Sequence, residues 1–405
     1  MKNLYSIILL GILTLTVTIS NGQELMSYQQ PKDYELPPKL IPTVRKYWVS
    51  IPKDYDKSTS RYPVLFVFDG DEAYMRNLVL NTADQLTSFG AMPNCIIVGL
   101  IQRNRGLDFG PLYAIKDLPN SAKVNGDKFL KFLKTELLPE LDKNYRTQNF
   151  RIGIGHSLGG LFLTHSFTQD PDFFNGVIAI SPALELKRDS TLFANLKHTL
   201  SSKLNRPTYF CWASGTEGTD EIAFREGSIA LGNLFKASPN ASLTIKYIDL
   251  HGKSHSLTPL FSVPEALEFV FKDWNPVLWE RVISNSSVAP DDAIASRTKT
   301  IKEIYNFEPD NDKWWLFFKI GNLLIEEKKY DRAVTYLKAA IQLEPNDAGL
   351  YGKLANAYES SKKYNAAVSS LKTAIQKLDK NKESDKYLLE DYEADLKRLQ
   401  TTISK

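Results

Sequence analysis

The sequence predicts an α/β fold, a mostly parallel sheet with helices on both faces, followed by a small all-α module. Three observations predict it. From about Val44 to Trp274, short apolar runs alternate with amphipathic stretches, the pattern of strand-helix-strand units. Several of the runs are apolar throughout, as expected of strands covered on both faces. After Trp274 the strand-like runs stop and a helical pattern with a fixed period takes over.

The elements follow in chain order. Lys2 precedes an almost unbroken apolar or small stretch from Leu4 to Ile19, and Ser20-Asn21-Gly22 sets small residues before Gln23. This has the shape of a cleaved secretory signal over residues 1–22. The stretch is short of the ~20 residues that span a bilayer comfortably, and no later segment is long and apolar enough to cross one. The expectation is therefore an exported protein, periplasmic or secreted, without a membrane span once the signal is removed. Residues 23–43 read as an N-terminal extension.

The strand-like runs are Tyr47–Ile51, Val64–Phe68, Ile96–Leu100, Phe150–Ile154, Gly176–Ile180, Thr208–Ala213 and Leu243–Ile248. Among the intervening helical patterns, Lys128–Leu138 places Phe129, Phe132, Leu133 and Leu137 on one stripe. These elements make residues 44–275 one catalytic-sized domain. The polar, proline-punctuated stretch Ser284–Asp292 reads as a linker, within a linker and packing-helix region over 276–310. It predicts that a chain ended near Pro276 folds without the rest.

In the last region Tyr330, Ala333, Val334, Leu337, Ala340 and Ile341 recur as Tyr364, Ala367, Val368, Leu371, Ala374 and Ile375, each 34 residues later. Phe317, Ile320, Gly321 and Leu324 recur as Tyr351, Leu354, Ala355 and Tyr358 at the same offset. Small residues must recur where paired helices approach closely, and this period and pattern look like a tetratricopeptide repeat. Two repeats over 311–380 need capping. Ala293–Phe307 and a helix within 381–405, around Tyr387–Thr401, are the expected caps. Such a module would hold a protein partner or shield the catalytic face.

Composition excludes some functions. The formal net charge is only +3 over 405 residues, with 43% hydrophobic and 24% charged residues, which gives no basis for a nucleic-acid partner. Nothing in the sequence calls for a metal or cofactor. The two cysteines, Cys95 and Cys211, lie in or beside apolar runs and read as buried free thiols.

The motif that carries chemistry is Gly155-His-Ser157-Leu-Gly159-Gly160, between the strand Phe150–Ile154 and the helical run Leu158–Thr168. A Gly-x-Ser-x-Gly in strand-turn-helix context is a nucleophile elbow. It lifts the Ser157 hydroxyl off the sheet and aims the Leu158 amide at a developing oxyanion. The base should follow in chain order after an acid. His255 lies in His251-Gly-Lys-Ser-His255, between a strand and a helix, and His251 is the alternative. His156, His165 and His198 read as structural. The acid belongs in Ser214-Gly-Thr-Glu217-Gly-Thr-Asp220-Glu221, where Glu217 is first in reach and Asp220 and Glu221 are alternatives. The second oxyanion donor belongs to Phe68-Asp69-Gly70-Asp71, with the Asp71 amide pointing inward.

With these residues the chain resembles the putative-esterase family of α/β-hydrolases, which includes siderophore, feruloyl and acetylxylan esterases. The resemblance covers about Tyr47 to Trp274. Tyr62–Asp71 looks like that family's first conserved block. Asn104-Arg105-Gly-Leu-Asp108-Phe-Gly-Pro111 resembles the arginine-bearing loop of the siderophore-esterase branch, with Phe109-Gly110 in place of Leu-Thr. Ser254-His255-Ser-Leu-Thr-Pro259 resembles its histidine block and favours His255. The resemblance implies an α/β-hydrolase fold and a serine esterase with Ser157 and His255 as catalytic residues and Leu158 and Asp71 as oxyanion donors; the acid loop varies within that family, so Glu217 remains the choice from the loop itself, with Asp220 and Glu221 open. Arg105, with Arg103 beside it, is the candidate contact for an anionic substrate such as an iron chelate, against the plainer reading of solvated surface arginines. The expected substrate is a siderophore-type ester, or alternatively a feruloyl or acetyl ester on polysaccharide. A non-catalytic scaffold protein is the reading of another class. In this fold Cys95 and Cys211 lie on strands separated by others, too far apart for a disulfide.

Overall fold

The structure, a computed structural model, describes residues 25–41, 43–102, 104–111, 125–275, 279–280, 283–305, 313–379 and 383–404. The signal-like segment 1–22, Arg103, Pro276 and Phe307 lie outside the described residues.

The sheet has eight strands: β1 (Lys32–Leu36), β2 (Arg45–Ser50), β3 (Tyr62–Val67), β4 (Ile96–Ile101), β5 (Thr147–His156), β6 (Gly176–Ile180), β7 (Thr208–Glu217) and β8 (Leu243–Ser254). Their order across the sheet is β1-β2-β4-β3-β5-β6-β7-β8. β1 and β2 pair antiparallel, as do β2 and β4, and from β4 to β8 every pair is parallel. The central strands β3 and β6 are buried at every residue, which is why they read as apolar runs. One face carries the cluster around Phe66, Phe68, Phe109, Phe129 and Phe162, and the other the cluster around Leu65, Val67, Val79, Ile154 and Val263.

Part of the expected extension is structural. Lys32–Leu36 forms the edge strand β1, and Leu25 and Tyr28 are buried in the core. The alternation in Lys-Asp-Tyr-Glu-Leu is short and mostly polar, because this edge faces solvent and its charges blunt it. The expected helix at Lys128–Leu138 runs from Gly126 to Asn144 with a π-helical turn at Leu133–Leu137. Cys95 and Cys211 are both buried and free.

Beyond the sheet, helices at Lys313–Glu326, Tyr330–Leu343, Ala348–Ser360 and Tyr364–Lys377 form two hairpins, followed by Glu383–Ile403. The small repeat positions do what close approach requires. A Cβ on Gly321 would meet Leu337 Cγ at 2.8 Å, and Ala333, Ala340, Ala367 and Ala374 are wholly buried.

The connection between the two parts differs from the expected linker. The helix Pro290–Tyr305 belongs to both cores. Its Ala293 shares a core with Trp279 and Ile283 and with Phe317 and Tyr336 of the repeat module. Its Ile301 and Tyr305 sit in the hydrolase core, where Tyr305 contacts Phe150, Tyr209 and Phe271. Lys329 and Arg332 both bind the Ser284 carbonyl, and Tyr336 binds that of Val288. The polar sequence of 284–292 therefore records backbone carbonyls held by side chains of the first repeat. Phe150 and Tyr209 lie toward the N-terminal ends of β5 and β7, whereas Ser157 follows the C-terminal end of β5. The helix shared with the repeats is thus anchored at the end of the sheet away from Ser157.

Candidate active site

Ser157 follows β5 directly and opens the helix Leu158–Gln169. Its backbone is held at φ 58°, ψ −114°, a left-handed conformation that a non-glycine residue adopts only under constraint. The constraint is visible: Ser157 N–H donates to the Ile180 carbonyl at 2.9 Å, and the Ser157 carbonyl accepts from Ala183 N–H at 3.0 Å. The glycines make room for the turn. A Cβ on Gly155 would come within 2.7 Å of the Gly159 backbone, and one on Gly160 within 3.1 Å of Pro182. Gly155→Ala is therefore expected to cost about 1–3 kcal/mol of stability, as overpacking does, and to displace Ser157. Thermal unfolding together with the rate of Ser157 phosphonylation checks this, and wild-type values for both would contradict it.

Leu158 is the first residue of its helix, so its N–H lies among the amides without an intrahelical acceptor. The other expected donor lies in the turn after β3. Asp69 there has φ 59°, Gly70 N–H donates to the Leu100 carbonyl, and a Cβ on Gly70 would strike the backbone of Gly99 and Leu100 at 2.8 Å. Trp48 Nε1 binds the Gly70 carbonyl at 2.8 Å. These contacts fix Asp71 one residue before Glu72, which lines the same cavity as Ser157 and Leu158.

That cavity, of about 530 Å³, is also lined by Tyr74, Arg105, His156, Arg188, Phe224 and His255. His255 follows β8, and its Nδ1 lies 2.7 Å from Glu221 Oε2. The sequence places Glu217 at this contact, but in the structure Glu221 makes it and Glu217 does not. Glu217 ends β7 as an exposed residue, its backbone paired with Ser254 and its carboxylate near the neighbouring Thr216 hydroxyl. Asp220 lines the cavity but is exposed. Glu221 lies one turn into the helix Thr219–Ala237 and is wholly buried. Its second oxygen accepts from the Gly215 amide and lies 2.9 Å from the Ser181 hydroxyl. A buried carboxylate is tolerated only when its oxygens are satisfied in this way. Ser181 Oγ is also 2.7 Å from Thr258 Oγ1, which donates to the His255 carbonyl. His251, on the exposed extension of β8, is not among the cavity-lining residues.

Arg105 sits on the wall, but its bonds turn inward. Nε and Nη2 bind both oxygens of the buried Asp69 at 2.6 and 3.0 Å, and Nη2 also binds the His156 carbonyl at 2.9 Å. His156, read as structural from the sequence, packs beside His255. It is 5% exposed, its Nδ1 lies 3.0 Å from the Tyr74 hydroxyl, and its Nε2 lies 3.0 Å from the His255 carbonyl. His165 pairs with Asp127 at 2.7 Å on the far part of its helix, and His198 is exposed.

A strand order of 1-2-4-3-5-6-7-8, with a serine on a strained turn after β5 and a histidine-carboxylate pair beyond β7 and β8, defines the α/β-hydrolase class. Within it, the chain belongs to the family described as "Putative esterase", which it matches over residues 40–329; residues 324–385 match the tetratricopeptide repeat. It is 25% identical over 238 residues to the ferri-bacillibactin esterase BesA of Bacillus subtilis (strain 168), across 54% of this chain and 81% of that protein. An uncharacterised protein from Capnocytophaga ochracea shares the fold with a TM-score of 0.61 at 16% identity, over 92% of this chain and all of that one (100%). An IroE-like serine hydrolase from Shewanella oneidensis also gives a TM-score of 0.61 at 16% identity, over 77% of this chain and 99% of that one. Among the described residues no cluster of His, Cys, Asp and Glu could hold a metal ion, and no helix is long and apolar enough to cross a membrane.

Proposed function

We propose that the protein is an exported serine esterase that cleaves a carboxylic ester of siderophore type through an acyl-enzyme. The observation that carries this reading is the strained Ser157 opening onto the same cavity as His255, whose Nδ1 is held by Glu221. With Nδ1–H directed at the carboxylate, Nε2 is left to accept the serine proton. Ser157 Oγ attacks the acyl carbon and its proton passes to His255 Nε2. The tetrahedral oxyanion is met by the Leu158 and Asp71 amides. The imidazolium then gives its proton to the departing alkoxide as the carbon–oxygen bond breaks. Water, deprotonated by His255, releases the acid and restores Ser157. Glu221 keeps the imidazole oriented and balances its charge.

The siderophore-type substrate is supported by the resemblance to the ferri-bacillibactin esterase. The repeat module is read as a holder of a protein partner.

The test is a panel of esters, from small activated acetates to a catecholate trilactone and a feruloyl ester, assayed on wild type and Ser157→Ala. The trilactone is expected to give the highest kcat/KM, and Ser157→Ala to lose about 10⁴-fold or more. A fluorophosphonate should label Ser157 alone. Labelling elsewhere, or activity that survives Ser157→Ala, would overturn the esterase mechanism; a preference for the feruloyl ester would overturn the substrate class only.

A further inference from the structure

We propose that His156 is a positioning residue: it ties the loop of His255 to the nucleophile elbow, and Tyr74 supports it by donating to its other ring nitrogen. The inference rests on the esterase reading of Ser157 and His255 and adds two residues to it.

The hydrogen-bond directions follow from the partners. His156 Nε2 faces the His255 carbonyl at 3.0 Å, and a carbonyl can only accept, so Nε2 carries the proton. In a neutral imidazole Nδ1 is then an acceptor, and the Tyr74 hydroxyl 3.0 Å away donates to it. Both side chains are kept in the forms this requires. Burial first, then the neighbouring His255 and Arg105, pushes His156 down to about 3, so it stays uncharged. Burial, reinforced by the Asp69 carboxylate, pushes the Tyr74 phenol up to about 12, so it stays a donor. The result is a directed chain from Tyr74 through His156 to the His255 backbone.

Its geometry serves alignment. His156 is covalently next to Ser157, and its ring centroid is 4.4 Å from that of His255. The same His255 carbonyl accepts from Thr258, which lies beside Ser181 and thereby Glu221. The loop carrying the base is thus gripped from the elbow side by His156 and from the acid side by Thr258. Arg105 binds the His156 carbonyl, fixing that residue's backbone as well. Small misplacements of a catalytic pair are costly, on the order of 10²-fold for about 1 Å.

The experiment uses the full chain and compares His156→Leu, His156→Gln, Tyr74→Phe and the His156→Leu/Tyr74→Phe pair, with a small neutral ester and fluorophosphonate labelling of Ser157. His156→Leu, which removes the donor, is expected to lower kcat by about 10–100-fold with KM nearly unchanged, and to slow labelling by the same factor. His156→Gln, which can still donate to the carbonyl, should recover most of that loss. Tyr74→Phe should cost about 2–5-fold alone and nothing further beside His156→Leu, the signature of one shared network. The inference is overturned if His156→Leu changes only KM, if Gln is no better than Leu, or if Tyr74→Phe costs the same in both backgrounds. Tyr74 is 44% exposed, so its variant folds even if the buried substitutions do not, and wild-type kcat for Tyr74→Phe would also overturn the chain. Failure of the esterase reading itself would look different, because wild type would then lack Ser157-dependent turnover.

Discussion

Glu221→Gln is expected to lower kcat by about 10⁴-fold, the scale on which an orienting triad carboxylate acts when replaced by its amide, whereas Glu217→Gln should stay within about twofold of wild type. The amide nitrogen of a glutamine would oppose His255 Nδ1–H or force the ring into the tautomer that leaves no base facing Ser157. The other half of the carboxylate, which accepts from the Gly215 amide and meets the Ser181 hydroxyl, can be reproduced by the amide oxygen. The fold should therefore persist while catalysis falls. Glu217 has no such partner: it is exposed at the end of β7 beside Thr216. Asp220→Asn, at an exposed position on the cavity wall, should alter KM more than kcat. Steady-state kinetics with thermal unfolding of each variant distinguishes these outcomes. A Glu217→Gln loss equal to that of Glu221→Gln would assign the acid to the wrong residue. A mild effect from both would leave Ser157 and His255 working as a pair.

That Ser157 and His255 line one cavity was legible in the sequence because each is placed by local pattern: a serine between glycines after a buried strand, and a histidine after the last strand. Which carboxylate meets His255 was not, because three occur within five positions, Glu217 to Glu221, and all suit a loop. What selects among them is the turn at Gly218, with φ 87°, which starts a helix and swings Glu221 back under Ser181 and Gly215. Those partners lie far away in sequence or depend on the turn, so spacing alone could not choose. The same limit hid the partners of His156, since Tyr74 and His255 are 82 and 99 residues away. The strands were legible wherever both faces are covered, and β1 was missed where one edge is open and charged. At 284–292 the polar, proline-punctuated composition reads as a linker, and what it does not reveal is that the Ser284 and Val288 carbonyls are bound by Lys329, Arg332 and Tyr336.

That last difference sets the expectation for cutting the chain. A chain ended near Pro276, which the sequence alone suggests is self-sufficient, is expected to be insoluble or unfolded, and one ended near 311 to keep hydrolysis of a small ester. The shorter cut removes Ile301 and Tyr305, both wholly buried in the hydrolase core. Tyr305 packs 5.2 Å from Phe150, 5.9 Å from Phe271 and 6.0 Å from Tyr209 between ring centroids, and its hydroxyl accepts from the Asp273 amide at 3.1 Å. Arg297, which binds the Trp274 carbonyl and covers its ring, is lost as well. Truncating one large buried aromatic costs about 3–5 kcal/mol and a buried isoleucine about 2–5. Together they approach the whole stability of an ordinary domain, about 5–15 kcal/mol. The longer cut keeps Ile301 and Tyr305 in place and sacrifices only the repeat residues, such as Phe317 and Tyr336, that share a core with Trp279, Ile283 and Ala293. In the full-length protein, Tyr305→Ala should lower stability by about 3–5 kcal/mol while leaving kcat on a small ester intact below the transition, since the substitution lies at the end of the sheet away from Ser157. The measurements are solubility and thermal unfolding of both shortened chains, and denaturant titration of the Tyr305 variant beside its esterase rate. A soluble chain ended at 276 with wild-type melting would show that the helix Pro290–Tyr305 belongs to the repeats alone.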